Sequence, residues 1–157
     1  MDKNKEYPKS FSHIGITVPD LKKAVEFYTE VMGWYVIMKP SKIKKEKETA
    51  IGLMCIDVFG DDWEEFEIAH MSTSDGIGVE LFSFPHGIKE APEFNPFNTG
   101  LFHFCIQDPN IEDLVAKILV HGGKQRMPIR SYYPFGIVFE VYTHSYELTY
   151  SSGAYSE

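Results

Sequence analysis

The hydrophobic and polar positions fall into alternating and helical stretches that appear twice along the chain. In Phe11–Val18 the residues Ile14, Ile16 and Val18 alternate with His13, Gly15 and Thr17, which predicts a strand with one buried face. Pro19-Asp20 ends it, and Asp20 is a suitable helix N-cap. From Leu21 the apolar residues Ala24, Val25, Phe27, Tyr28, Val31 and Met32 follow helical spacing, with Gly33 as the expected stop. Trp34–Met38, Ala50–Phe59, Glu65–Met71 and Val79–Phe84 read as strands, one more than a β-α-β-β-β unit requires. The segment Phe84–Gly100 holds three prolines and has no period, so it is expected to link two halves or fold over a pocket.

The second half repeats the first at a constant offset. His103 takes the place of His13, Ile106 of Ile16, Pro109 of Pro19, Asn110 of Asp20, Val115 of Val25 and Gly123 of Gly33. Leu101–Gln107 predicts a strand, and Pro109 to about His121 a helix ended by Gly122-Gly123. Lys124–Ile129, Phe135–Tyr142 and Tyr146–Ser151 predict strands, the last two joined through Thr143-His144-Ser145. The expected organisation is one domain over 1–157. Its first module covers about 10–84, its connector about 85–100 and its second module about 101–151.

Composition narrows the function. A net charge of −8 argues against a nucleic-acid partner, which calls for a basic surface. The mixed run Lys42–Glu48 is expected to be a solvated hairpin or loop. Cys55 and Cys105 form no disulfide framework, no signal peptide is visible, and no apolar run is long enough to span a bilayer. The expectation is a cytoplasmic protein without membrane contact, acting on a small molecule.

The strand period then places four groups. His13 shares its face with Phe11, Gly15 and Thr17, away from the helix, and His103 likewise shares its face with Leu101 and Cys105. Glu80 lies with Gly78, Phe82 and Phe84, and Glu147 with Ser145 and Thr149. Each half thus begins with an inward histidine and ends with an inward carboxylate, the only charge in a short apolar strand. A buried carboxylate is costly unless paired or bound to metal. Two imidazoles and two carboxylates suit a divalent transition metal, with His13, Glu80, His103 and Glu147 as ligands.

The stretch His13–Trp34, HIGITVPDLKKAVEFYTEVMGW, resembles the opening of the vicinal oxygen chelate superfamily, which includes glyoxalase I, methylmalonyl-CoA epimerase, extradiol dioxygenases and bleomycin-resistance proteins. The resemblance extends from Phe11 to Ser151. It implies an α+β fold in which two βαβββ modules form a curved, cup-like mixed sheet with helices outside, around a metal held by the same four residues. Glu80 beside His13, His103 and Glu147 is similar to the glyoxalase and epimerase branch. That branch implies a lyase or isomerase that moves a proton next to a carbonyl or thioester through a metal-stabilised enediolate. Glu147 would be the principal base and Glu80 a second acid–base, with Ni, Co, Zn or Mn as cofactor. A ring-cleaving dioxygenase would instead use iron on His13, His103 and Glu147, with Tyr133, Tyr142, His70 and His144 as candidate outer groups. A binding protein for a drug or metabolite is the third reading. Thr17 stands where glyoxalase I usually has arginine, so glutathione is not implied. The turn before Glu147 is shorter than the family's usual one, and the His13–Glu80 spacing is longer. Phe11, Thr17, Phe82, Phe84 and Cys105 are expected to line the substrate pocket. Arg126 and Arg130 are expected to hold an anionic substrate group there, or to be solvated on the surface. Tyr7, Phe94 and Phe97 are candidates to cover it. The family pattern implies a homodimer, or modules paired within one chain.

Overall fold

The computed structural model describes residues 6–87, 97, 99–101, 103–125, 128–132, 136–143 and 149–153, and from residue 130 onward the backbone alone. Strand β1 (His13–Thr17) leads into helix α1 (Leu21–Glu30), whose N-terminus is capped by Asp20 accepting from the Lys23 amide at 3.0 Å. Strand β2 (Tyr35–Lys44), helix α2 (Ala50–Phe59), strand β3 (Glu65–Ser72) and strand β4 (Gly78–Ser83) complete the first module. The second module comprises β5 (Phe104–Ile106), α3 (Ile111–Val120), β6 (Gly123–Gln125), β7 (Arg130–Tyr132), β8 (Gly136–Thr143) and β9 (Thr149–Gly153).

The duplication visible in the sequence is also topological. The first sheet runs β1-β4-β3-β2 and the second β5-β9-β8-β6, with β7 added beside β8. In both, the strand before the helix pairs in parallel with the last strand of its module. Alternation decides the faces as expected. Val79 and Leu81 are buried with Ala69 and Met71 beneath Leu21, Ala24, Phe27 and Tyr28 of α1. The same apolar cluster takes in Ile111, Leu114, Val115 and Ile118 of α3, and Trp34 meets Phe104 across the modules at 6.3 Å between ring centroids.

Two local expectations change. Ala50–Phe59 is a helix, not a strand. Its sequence, AIGLMCIDVF, is apolar nearly all round and so shows no helical stripe. The termini decide: the Thr49 hydroxyl accepts from the Gly52 amide at 3.1 Å, and Gly60 at φ 76° ends the helix in a conformation glycine accepts. This accounts for the surplus strand. The basic run Lys42–Glu48 is partly strand, since Lys42 and Lys44 extend β2 opposite Glu67 and Glu65. The Lys42–Glu65 ion pair at 2.8 Å holds that carboxyl below its ordinary range and raises the lysine.

Helix α1 lies on the outer face, as expected, whereas α2 packs on the opposite, inner face. There Cys55 and Ile56 join Trp63, Phe66, Ile68, Phe82 and Phe84. Phe59 contacts the rings of Phe66, Phe82 and Phe84 at 5.3–5.9 Å. Burial among these rings pushes the Cys55 thiol pKa up, so it behaves as a small hydrophobe.

Candidate metal centre

The inner face carries the candidate chemistry. Glu80 is at the middle of the sheet, on β4, with Gly15 of β1 beside it on one side and His70 of β3 on the other. Gly15 has no side chain, and the edge of the Phe82 ring lies over it. The Glu80 carboxylate lies between two imidazoles, its Oε2 at 3.9 Å from His13 Nε2 and its Oε1 at 3.5 Å from His70 Nε2. Glu80 is the most enclosed of the three, its side chain 29% exposed against 54% for His13 and 37% for His70.

Two glycines clear this ground. A methyl group on Gly78 would stand 2.9 Å from His13 Cβ, closer than real carbons approach, and one on Gly15 would touch the Phe82 ring edge at 3.3 Å. Neither glycine has positive φ, so what these positions require is space, not an unusual backbone.

The donors fit a shared divalent ion. Nitrogen and oxygen ligands bound at about 2.0–2.2 Å lie roughly 3–4 Å from one another, so His13 Nε2 and Glu80 Oε2 need little movement to meet on one centre. Among the described residues, no three His, Cys, Asp or Glu side chains form a complete metal cluster. In the first module the two candidate ligands brought together are His13 and Glu80. His103 immediately precedes β5, the position in the second module that corresponds to His13. Glu147 lies outside the described residues. The β9 register sets Ser151 beside Cys105, as Glu80 is set beside Gly15.

Of the expected pocket residues, Phe11, Thr17 and Cys105 are exposed, and Phe82 is half-buried opposite Thr17 in the register. Phe84 stacks near Phe82, at 6.3 Å, in the α2 cluster. Arg126 and the Arg130 side chain lie outside the described residues, as do Tyr133, His144, Phe94 and the Tyr142 side chain. Tyr7 and Phe97 are strongly exposed. An open groove of about 540 Å³ runs between Phe59, Trp63, Phe84 and His86. It does not include His13, His70 or Glu80, so the groove and the candidate metal ligands are separate features of the molecule. Sequence periodicity did not reveal the aromatic floor under α2. The signal that was available was the Thr49 cap and the Gly60 stop.

A family model described as the glyoxalase/bleomycin resistance protein/dioxygenase superfamily matches residues 10–145. The chain belongs to this superfamily. Solved structures agree on the fold. A glyoxalase family protein from Bacillus cereus is 21% identical with a TM-score of 0.69, over 98% of each chain. A glyoxylase/bleomycin resistance protein/dioxygenase domain from Frankia sp. EAN1pec is 18% identical with a TM-score of 0.64, over 96% of this chain and 100% of that one. The fosfomycin resistance protein FosX from Listeria monocytogenes is 13% identical with a TM-score of 0.59, over 96% and 94%. A variant of FosX has been solved with Mn(II) and 1S,2S-dihydroxypropylphosphonic acid, so a member of this fold carries a divalent metal. Curated proteins include no significant match to this chain. Among the described residues, no helix is long and apolar enough to cross a membrane.

Proposed function

We propose that this protein is a divalent-metal-dependent lyase or isomerase of the glyoxalase type, acting on a small molecule with a carbonyl or thioester. The observation that carries this reading is the His13–Glu80 pair, brought onto one face from two strands far apart in sequence, with a spacing that one ion can bridge. His103 and Glu147 complete the ligand set from the second module, and the metal is Ni, Co, Zn or Mn. When bound, it supplies Lewis acidity toward the substrate oxygen. The chain's own groups do the rest. Glu147 removes the proton from the carbon next to the carbonyl and returns it, while Glu80 serves as ligand and second acid–base. Phe11, Thr17, Phe82 and Cys105 form the wall facing the substrate, and Arg126 and Arg130 meet an anionic group on it. The protein works as a cytoplasmic homodimer. The proximity of Glu80 to His13 favours this reading over ring-cleaving iron chemistry, which leaves Glu80 outside the ligand set.

The test is elemental analysis of tag-free protein purified without added metal, alongside His103→Ala and Glu147→Gln. About one equivalent of Ni, Co, Zn or Mn per chain, lost in His103→Ala, is expected from a closed ligand set. Glu147→Gln should keep part of the metal and lose turnover on carbonyl or thioester substrates. Iron in place of these metals would move the dioxygenase ahead. Protein that stays empty after reconstitution would end the metalloenzyme reading.

A further inference from the structure

The glyoxalase-type reading assigns no role to His70. It lies on β3, and the register of the β3–β4 hairpin makes it the direct cross-strand neighbour of Glu80. That register is pinned locally. The Thr73 amide donates to the Ile77 carbonyl at 2.9 Å, the Ile77 amide donates back to the Thr73 hydroxyl at 3.0 Å, and Gly76 takes φ 86° in the turn. A one-residue slip would turn His70 to the outer face and bring its neighbours Ala69 and Met71 to the inner one. The two oxygens of Glu80 are therefore differently placed: Oε2 is turned to His13 and Oε1 to His70 Nε2 at 3.5 Å.

We propose that His70 is a positioning residue, holding the outer oxygen of Glu80 so that the inner oxygen is presented to the metal together with His13. This rests on the metal reading above. The physical basis is that a carboxylate ligand with a free second oxygen rotates between one-point and two-point binding. An imidazole N–H on that oxygen fixes one orientation and reduces the ordering to be done when the ion arrives. His70 is not itself a ligand in this arrangement; it faces the oxygen of Glu80 turned away from His13.

The experiment is Co(II) titration by chelator competition, with the Co(II) absorption spectrum and the melting of the metal-free protein recorded for wild type, His70→Leu, His70→Gln and His13→Ala. Leucine fills the space without a donor, and glutamine restores an N–H. His70→Leu is expected to bind about 10–100-fold more weakly, the usual effect of losing an outer-shell partner, with an altered spectrum and near-unchanged melting of the metal-free protein. His70→Gln is expected to recover most of the affinity. If His70→Leu matches wild type in affinity and spectrum while His13→Ala loses the metal, His70 has no positioning role and the metal reading stands. If both His70 variants lose the metal as fully as His13→Ala, His70 is a ligand and the positioning role is overturned. If wild type itself takes up no Co(II), the metal reading falls, and this proposal with it.

Discussion

Gly78→Ala tests whether His13 is held where a metal needs it. The added methyl would stand 2.9 Å from His13 Cβ and 3.4 Å from the Ser12 carbonyl oxygen. Carbon–carbon contacts rest at about 3.5–4.0 Å, so the two must separate by roughly 0.6 Å or more. The atom encountered is a Cβ anchored to β1, not the free end of a side chain, so the strand itself must move. The Gly78 amide donates to the Ser12 carbonyl at 2.8 Å, and that bond lengthens in the same movement. Overpacking of this kind costs about 1–3 kcal/mol. At about 2–4 °C per kcal/mol for a chain of this size, the melting temperature should fall by about 2–12 °C. A binding constellation tolerates displacements of only about 0.5 Å, so Co(II) affinity should fall at least about tenfold. Calorimetry and chelator competition on the same preparation measure both effects. Gly15→Ala is the comparison for stability: its methyl meets the Phe82 ring edge at 3.3 Å, and the ring can yield by turning slightly, so the fall in melting temperature should be small. A folded Gly78→Ala that melts lower yet binds Co(II) like wild type would refute the reasoning, because a displaced His13 would then not matter to the metal.

Further outcomes concern the scaffold. Phe66 is 1% exposed and meets Trp63, Phe59 and Phe84 at 5.2–5.4 Å, so Phe66→Ala should cost about 3–5 kcal/mol in urea unfolding. A loss below about 1.5 kcal/mol would show that the aromatic floor under α2 is loosely packed. Asp20→Ala should cost about 1 kcal/mol at neutral pH through loss of the α1 cap. The amide of Lys23 holds the Asp20 carboxyl below its ordinary range, so the capping stability is full above the unfolded-state pKa and lost as pH falls through the lower folded value. The difference between wild type and Asp20→Ala should therefore shrink in unfolding experiments at about pH 3 and below, where a constant difference would exclude the carboxylate as its source.

Where the sequence has a clean period, it reads correctly by itself. Alternation in β1 and β4 put Ile14, Ile16, Val79 and Leu81 toward the helix and His13 and Glu80 away from it, because a strand's side-chain direction follows from position alone. The repeated histidine strand, proline and helix cap announced two like modules, since those signals are local. The α2 stretch failed the same test: Ile51, Leu53, Met54 and Val58 are exposed around a helix whose buried side is carried by Gly52 and Cys55, so its pattern has no period to read. Only the tertiary structure decided that α2 lies on the inner face, that Phe66 and Trp63 build a floor beside the site, and that His70 stands across from Glu80. The sequence named His70 only as a candidate outer group for a different chemistry. Which residues face each other across strands depends on turn geometry and on packing between distant segments. A one-residue shift reverses every face while leaving the pattern along each strand unchanged.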